Sequence, residues 1–132
     1  MKIDFPHAAR SALSRLAKRD PLYLVGGAIR NALKYGPSAK TSDFDFITRR
    51  YALKTAKAFA KALRARLIVL DRERKIYRVI VHAKDKVHNF DFAAMQGSCL
   101  EEDLKNRDLT VNAMAIAVTD HADTADIIDP TG

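Results

Sequence analysis

The chain is 132 residues long, 48% hydrophobic and 30% charged, with a net charge of +7 and a single cysteine. That composition describes one globular domain able to build its own core and excludes a disordered chain. Lone Cys99 excludes an internal disulfide or a multi-cysteine zinc site, and no apolar run nears the roughly 20 residues of a membrane span, so a soluble, cytoplasmic protein is expected.

In chain order, residues 6–18 read as a helix. Pro6 suits a first turn, and Ala9, Ala12, Leu13 and Leu16 recur on one face until Asp20-Pro21 stops the pattern. Leu22–Val25 is a short apolar run expected to be a buried strand. Gly26-Gly27 follows as a turn, then a helix over 28–35 that ends at Gly36-Pro37-Ser38. Asp43–Thr48 alternates as a strand, with Asp43 and Asp45 on one face and Phe44 and Phe46 on the other. Residues 51–64 form the clearest amphipathic helix, with Leu53, Ala56, Ala60 and Leu63 assigned to its apolar face. Strands are expected at 67–70, 76–82 and 88–93, helices at 100–105 and 109–115, and a final short strand at Ile127–Ile128. The alternation of helix and strand predicts an α/β (α+β) layer fold: a small, mixed, twisted sheet with helices packed mainly on one face.

Three local patterns carry chemistry. A Gly-Gly pair between a strand and a helix lets the backbone approach a ligand, and the free N–H groups of the following helix favour phosphate, with Arg30 within reach of the same anion. Asp43 and Asp45, at i and i+2 of a strand, project from one face with Cα atoms roughly 6.6 Å apart. Two carboxylates so placed repel each other until a cation neutralises them, which suits a hard divalent ion such as Mg²⁺ bound together with substrate phosphates. Phe-Asp-Phe then occurs a second time, at 90–92. If its strand neighbours the first, Asp91 joins Asp43 and Asp45 as a third carboxylate of a two-metal phosphoryl-transfer site.

Taken together, LYLVGGAIRNAL, SDFDFIT, VHNFDFAAMQGSCLEEDL, LEEDLKNRDLTVNAMAIAV and IIDPTG resemble, in that order, the head domain of class II tRNA nucleotidyltransferases and bacterial poly(A) polymerases. These belong to the polymerase beta-like nucleotidyltransferases, and the likeness covers about residues 21–132. The resemblance implies that Asp43 and Asp45 bind two Mg²⁺ ions, one lowering the pKa of an RNA 3′-hydroxyl and one holding the triphosphate and the departing pyrophosphate, with Asp91 assisting. It further implies that Gly26, Gly27 and Arg30 cradle the triphosphate and that Arg107, Asp108 and Asn112 contact the nucleotide. The implied reaction is transfer of a nucleotide from CTP or ATP to the 3′ end of RNA, foremost CCA addition to tRNA. Poly(A) synthesis, A-only or CC-only addition, and a nucleotide- or RNA-binding module without turnover are the alternatives. Asn31 and Asn106 depart from the Asp and Arg usual at those places. The nucleotide-choosing Glu-Asp-x-x-Arg template of the family does not occur in the chain, so residues 1–132 are expected to be the head alone, without body and tail domains.

Charge adds a weaker indication. Residues 1–66 carry 15 basic and 4 acidic side chains, whereas 67–132 are net acidic. Within the basic half, Lys54, Lys57, Lys61 and Arg64 recur at helical spacing as one stripe, a candidate contact for RNA phosphates.

Overall fold

The computed structural model describes residues 5–29, 43–83, 86–95 and 115–118, and the backbone of 127–128. Helix α1 (His7–Arg19) starts after Pro6, whose φ of −52° is preset for a first turn. It buries Ala9, Ala12 and Leu13, and it ends at Asp20, which is extended as a residue before proline is constrained to be. Strand β1 (Leu22–Val25) leads into a turn at Gly26, and a helix opens at Gly27. Strand β2 (Asp43–Thr48) is followed by helix α2 (Ala52–Leu63). Then come β3 (Arg66–Asp71), β4 (Ile76–Ala83), β5 (Lys86–Ala94), β6 (Ala115–Ala117) and β7 (Ile127–Ile128).

The strands form one seven-stranded sheet in the order β3-β4-β5-β2-β1-β6-β7. It is mixed: β2 and β5 run parallel, and every other neighbouring pair is antiparallel. The β2–β5 register sets Phe44 beside Phe90, Asp45 beside Asp91 and Phe46 beside Phe92. The two Phe-Asp-Phe repeats therefore lie side by side in phase, and strand alternation sends all four phenylalanines to one face and the aspartates to the other.

The phenylalanine face is the core. Phe44 and Phe90 stack at 5.0 Å, Phe46 and Phe92 at 5.4 Å, and Phe59 of α2 tilts over Phe90 and Phe92 at 4.9 and 5.4 Å. Helices α1 and α2 bury their apolar stripes in the same cluster as these rings. The opposite face carries a smaller buried cluster of Val25, Ile47 and Ala115 next to the aspartates.

Two sequence expectations fail here. Leu53 is 37% exposed, and the buried face of α2 is Ala52, Thr55, Ala56, Phe59 and Ala60. The stripe is rotated so that the large ring of Phe59 meets the sheet and Leu53 falls at its margin. Ala115, expected to end a helix, instead begins β6, where Ala115 pairs with Val25. Backbone pairing to a buried strand overrides the helix preference of alanine. The rest of the 109–115 helix, the 100–105 helix and most of the 28–35 helix lie outside the described residues.

Candidate active site

The aspartate face takes its geometry from three adjacent strands. Along β2, Asp43 and Asp45 are exposed while Phe44 and Phe46 are buried between them, so the core pins the strand and fixes both carboxylates on the open side. Asn89 of β5, which pairs with Asp43, donates its side-chain N–H to Asp43 Oδ1 at 2.9 Å. Two residues along, Asp91 lies across from Asp45, at the roughly 4.8 Å spacing of neighbouring strands. The expected adjacency of the three carboxylates on one face is present.

Asp91 is not open to the same degree. Arg78 of β4 stands across from it in the β4–β5 pair. Its Nε donates to Asp91 Oδ1 at 2.8 Å and its Nη2 to Oδ2 at 3.0 Å, a two-pronged charge-assisted pair. The side chains retain 29% and 13% exposure. The Asp91 hydrogen bond, opposed by burial and helped by the charges of Asp91, Asp43 and Asp45, holds the Arg78 guanidinium above its ordinary pKa. Arg78 therefore remains a cation facing all three carboxylates at any accessible pH. Among the described residues, no three His, Cys, Asp or Glu side chains form a ready metal cage. Asp43 and Asp45 are two hard oxygen donors on one exposed face, a set that fits Mg²⁺ sharing its shell with water and phosphate. Asp91 has both oxygens engaged by arginine.

Arg78 was not picked out from the sequence, although a signal for it exists. Ala83 pairs with Lys86, leaving two residues between the strands. Counting back from a two-residue hairpin connection places residue 78 opposite 91.

The Gly-Gly turn closes the site from the β1 side. Val25 pairs with Asp45, and the next residue, Gly26, has φ +79°. A Cβ at Gly26 would stand 3.0 Å from Asp45 Oδ2. The glycine is thus required twice, for its backbone conformation and for the approach of the carboxylate. The Ile29 N–H donates to the Gly26 carbonyl at 3.2 Å as the helix begins. The other expected nucleotide contacts, Arg30, Arg107, Asp108 and Asn112, lie outside the described residues.

The expected basic stripe is exposed along its length. Lys54 and Lys57, with Arg50, Lys75, Tyr51, Leu53 and Tyr77, line a shallow groove of about 530 Å³ where β2 and β5 end and α2 starts. Lys54 Nζ lies 5.7 Å from the centre of the Tyr51 ring. Tyr77 pairs with Phe92, which puts the groove on the helix side of the sheet, away from the aspartates. Lys61 and Arg64 lie further along α2 and are not part of its lining. Among the described residues, no helix is long and apolar enough to cross a membrane.

The family model of the poly A polymerase head domain matches residues 22–132. The chain belongs to that family. It is 48% identical over 92 residues to a CC-adding tRNA nucleotidyltransferase of Synechocystis, a match covering 70% of this chain and 21% of the relative. Among solved structures it resembles a tRNA-processing enzyme in its apo form, at 29% identity and a TM-score of 0.76, covering 98% of this chain and 34% of that one. It also resembles a CCA-adding enzyme in complex with CTP, at 27% identity and a TM-score of 0.76, covering 93% and 29%. The head-domain chain thus spans about a fifth to a third of the length of the proteins it matches. The matched span, residues 22–132, runs through every strand of the sheet.

Proposed function

We propose that this chain is the catalytic head of an RNA nucleotidyltransferase that transfers a nucleotide from CTP or ATP to the 3′ end of tRNA in the cytoplasm. One observation carries the reading. Asp43 and Asp45 stand exposed on one face of a strand that is locked by its phenylalanines, directly beside the positive-φ turn of Gly26 and the helix start at Gly27. That places an acidic pair against a backbone shaped for phosphate. The names of the relatives supply the substrates: tRNA for the Synechocystis protein and CTP for the solved CCA-adding enzyme.

In this reading Asp43 and Asp45 hold Mg²⁺. The metal supplies, when bound, a lowered pKa for the RNA 3′-hydroxyl and neutralisation of the leaving pyrophosphate. The chain's own residues do the positioning. Asn89 orients Asp43, Gly26 leaves room for Asp45, and the open helix end receives phosphate oxygens, with Arg30 as an added cation. Arg107, Asp108 and Asn112 contact the nucleotide. Of the basic stripe, Lys54 and Lys57, which line the groove, give RNA phosphates a basic surface, and Lys61 and Arg64 lie outside it. CC-only addition is the second reading, favoured by the name of the 48%-identical relative.

The test supplies the chain, fused to a body domain of a CCA-adding enzyme, with tRNA lacking its 3′ CCA, Mg²⁺ and α-labelled CTP or ATP. Incorporation is expected, and Asp43→Asn with Asp45→Asn should lower it by about a thousandfold, the equivalent of ~4 kcal/mol of transition-state stabilisation. Equal labelling by the double variant would sink the proposal. The product formed with CTP alone, against CTP plus ATP, separates CC from CCA addition.

A further inference from the structure

Three carboxylates on one sheet face need counter-charge, and this fold supplies it from within. Asp45 and Asp91 are register partners, Asp43 lies two residues from Asp45, and Arg78 of the third strand grips Asp91 through both its oxygens. The pair is part-buried, and such a two-pronged pair fixes its geometry as well as its charge. We propose that Arg78 is a resident counter-cation: it holds Asp91 in place on the carboxylate face and keeps that face from filling with divalent metal before a nucleotide arrives. The inference rests on the reading of Asp43 and Asp45 as metal-holding residues and assigns Arg78 a role beyond it, as a positioning residue acting through Asp91.

The physical argument is one of sign. A guanidinium amid these carboxylates repels an incoming dication and takes up one acceptor site on each Asp91 oxygen, which weakens the hold of Asp91 on it. Before nucleotide arrives the metal then rests chiefly on Asp43 and Asp45 from the described part of this face, an incomplete oxygen shell that substrate phosphates complete. A triphosphate brings its own negative charge, which Arg78 attracts, so the same cation that disfavours free metal favours metal with nucleotide.

The test measures Mn²⁺ binding to the full chain without nucleotide, by the electron paramagnetic resonance signal of free Mn²⁺, for wild type, Arg78→Gln and Arg78→Lys, each checked for folding by circular dichroism. Arg78→Gln should bind Mn²⁺ about tenfold more tightly than wild type and yet transfer nucleotide more slowly, because Asp91 is no longer held. Arg78→Lys keeps the charge without the fork, so its Mn²⁺ affinity should stay within about twofold of wild type while its kcat falls. A purely structural Arg78 would leave Mn²⁺ affinity unchanged or weaker in Arg78→Gln, and that result overturns the proposal. If Arg78→Gln does not fold, a tenfold rise in Arg78→Lys overturns it instead, and near-wild-type affinity supports it. If wild type binds Mn²⁺ too weakly to measure, measurable binding by Arg78→Gln supports the inference and its absence overturns it. The underlying reading fails separately, through Mn²⁺ binding that persists undiminished in the Asp43→Asn, Asp45→Asn protein.

Discussion

At the scale of single residues, Gly26 has the narrowest tolerance in the site. Its φ of +79° and the 3.0 Å from a built Cβ to Asp45 Oδ2 act together, so any side chain both strains the turn and displaces a carboxylate. Gly26→Ala should lower stability by about 1–2 kcal/mol for the left-handed backbone, read from urea denaturation. It should also reduce nucleotide transfer by more than the stability loss explains, about tenfold or more, since positioning errors near 1 Å are costly to chemistry. Wild-type turnover in Gly26→Ala would mean that the turn does not set the position of Asp45. Asp43, Asp45 and Gly26 were legible in the sequence because their pattern is local: two acids at strand spacing, and two glycines where a strand gives way to a helix. Arg78 was not, because its place depends on the register of the β4–β5 hairpin, which sets it opposite Asp91 and which a slip of one residue would change.

At the scale of elements, Asp20 joins α1 to α2. It is 6% exposed, ends α1, and accepts hydrogen bonds from the backbone N–H of Arg50 at 3.1 Å and of Tyr51 at 2.8 Å. Those are the N–H groups of the residue before α2 and of its N-cap, Tyr51, which itself provides no side-chain cap. A carboxylate from 30 residues earlier in the chain thus anchors the entry to the helix and sits at the positive end of its dipole. Asp20→Ala should cost about 3 kcal/mol in urea denaturation and Asn about half of that, since an amide oxygen replaces one acceptor. A loss below about 0.5 kcal/mol for Ala would show that water serves α2 equally well. The sequence marked Asp20 only as a helix stop, because its capping partners are distant. The same limit explains the misassigned face of α2. Periodicity located the helix to within a residue at each end, but Leu53 and Phe59 compete for the core on packing, and the larger ring fits above Phe90 and Phe92. The in-phase Phe-Asp-Phe repeats, by contrast, announced both the core and the acidic face, since strand alternation allows no other sorting of those residues.

At the scale of the molecule, the sheet separates two kinds of charge. The aspartates and Arg78 occupy one face, while Arg50, Lys54, Lys57 and Lys75 gather around Tyr51 and Tyr77 on the other, where β2 ends and α2 begins. Asp43 and Thr48, at the two ends of β2, are already roughly 17 Å apart along the strand, so on the proposed reading an RNA held in the groove would be gripped well away from its reacting 3′ end. Contacts made there would act on affinity and not on the chemical step. Each phosphate neutralised by a lysine contributes about 0.7 to 0.9 to the slope of log affinity against log salt. Lys54→Gln with Lys57→Gln should therefore flatten that slope by about 1.5 for tRNA binding, measured by fluorescence anisotropy, and raise KM for tRNA while kcat stays near wild type. Lys61→Gln with Arg64→Gln, outside the groove on the same helix, should change the slope by less than about 0.5, because a solvated charge without a phosphate partner releases no counterion. Equal slopes for the two double variants would show that α2 attracts RNA by its overall field and not through the groove.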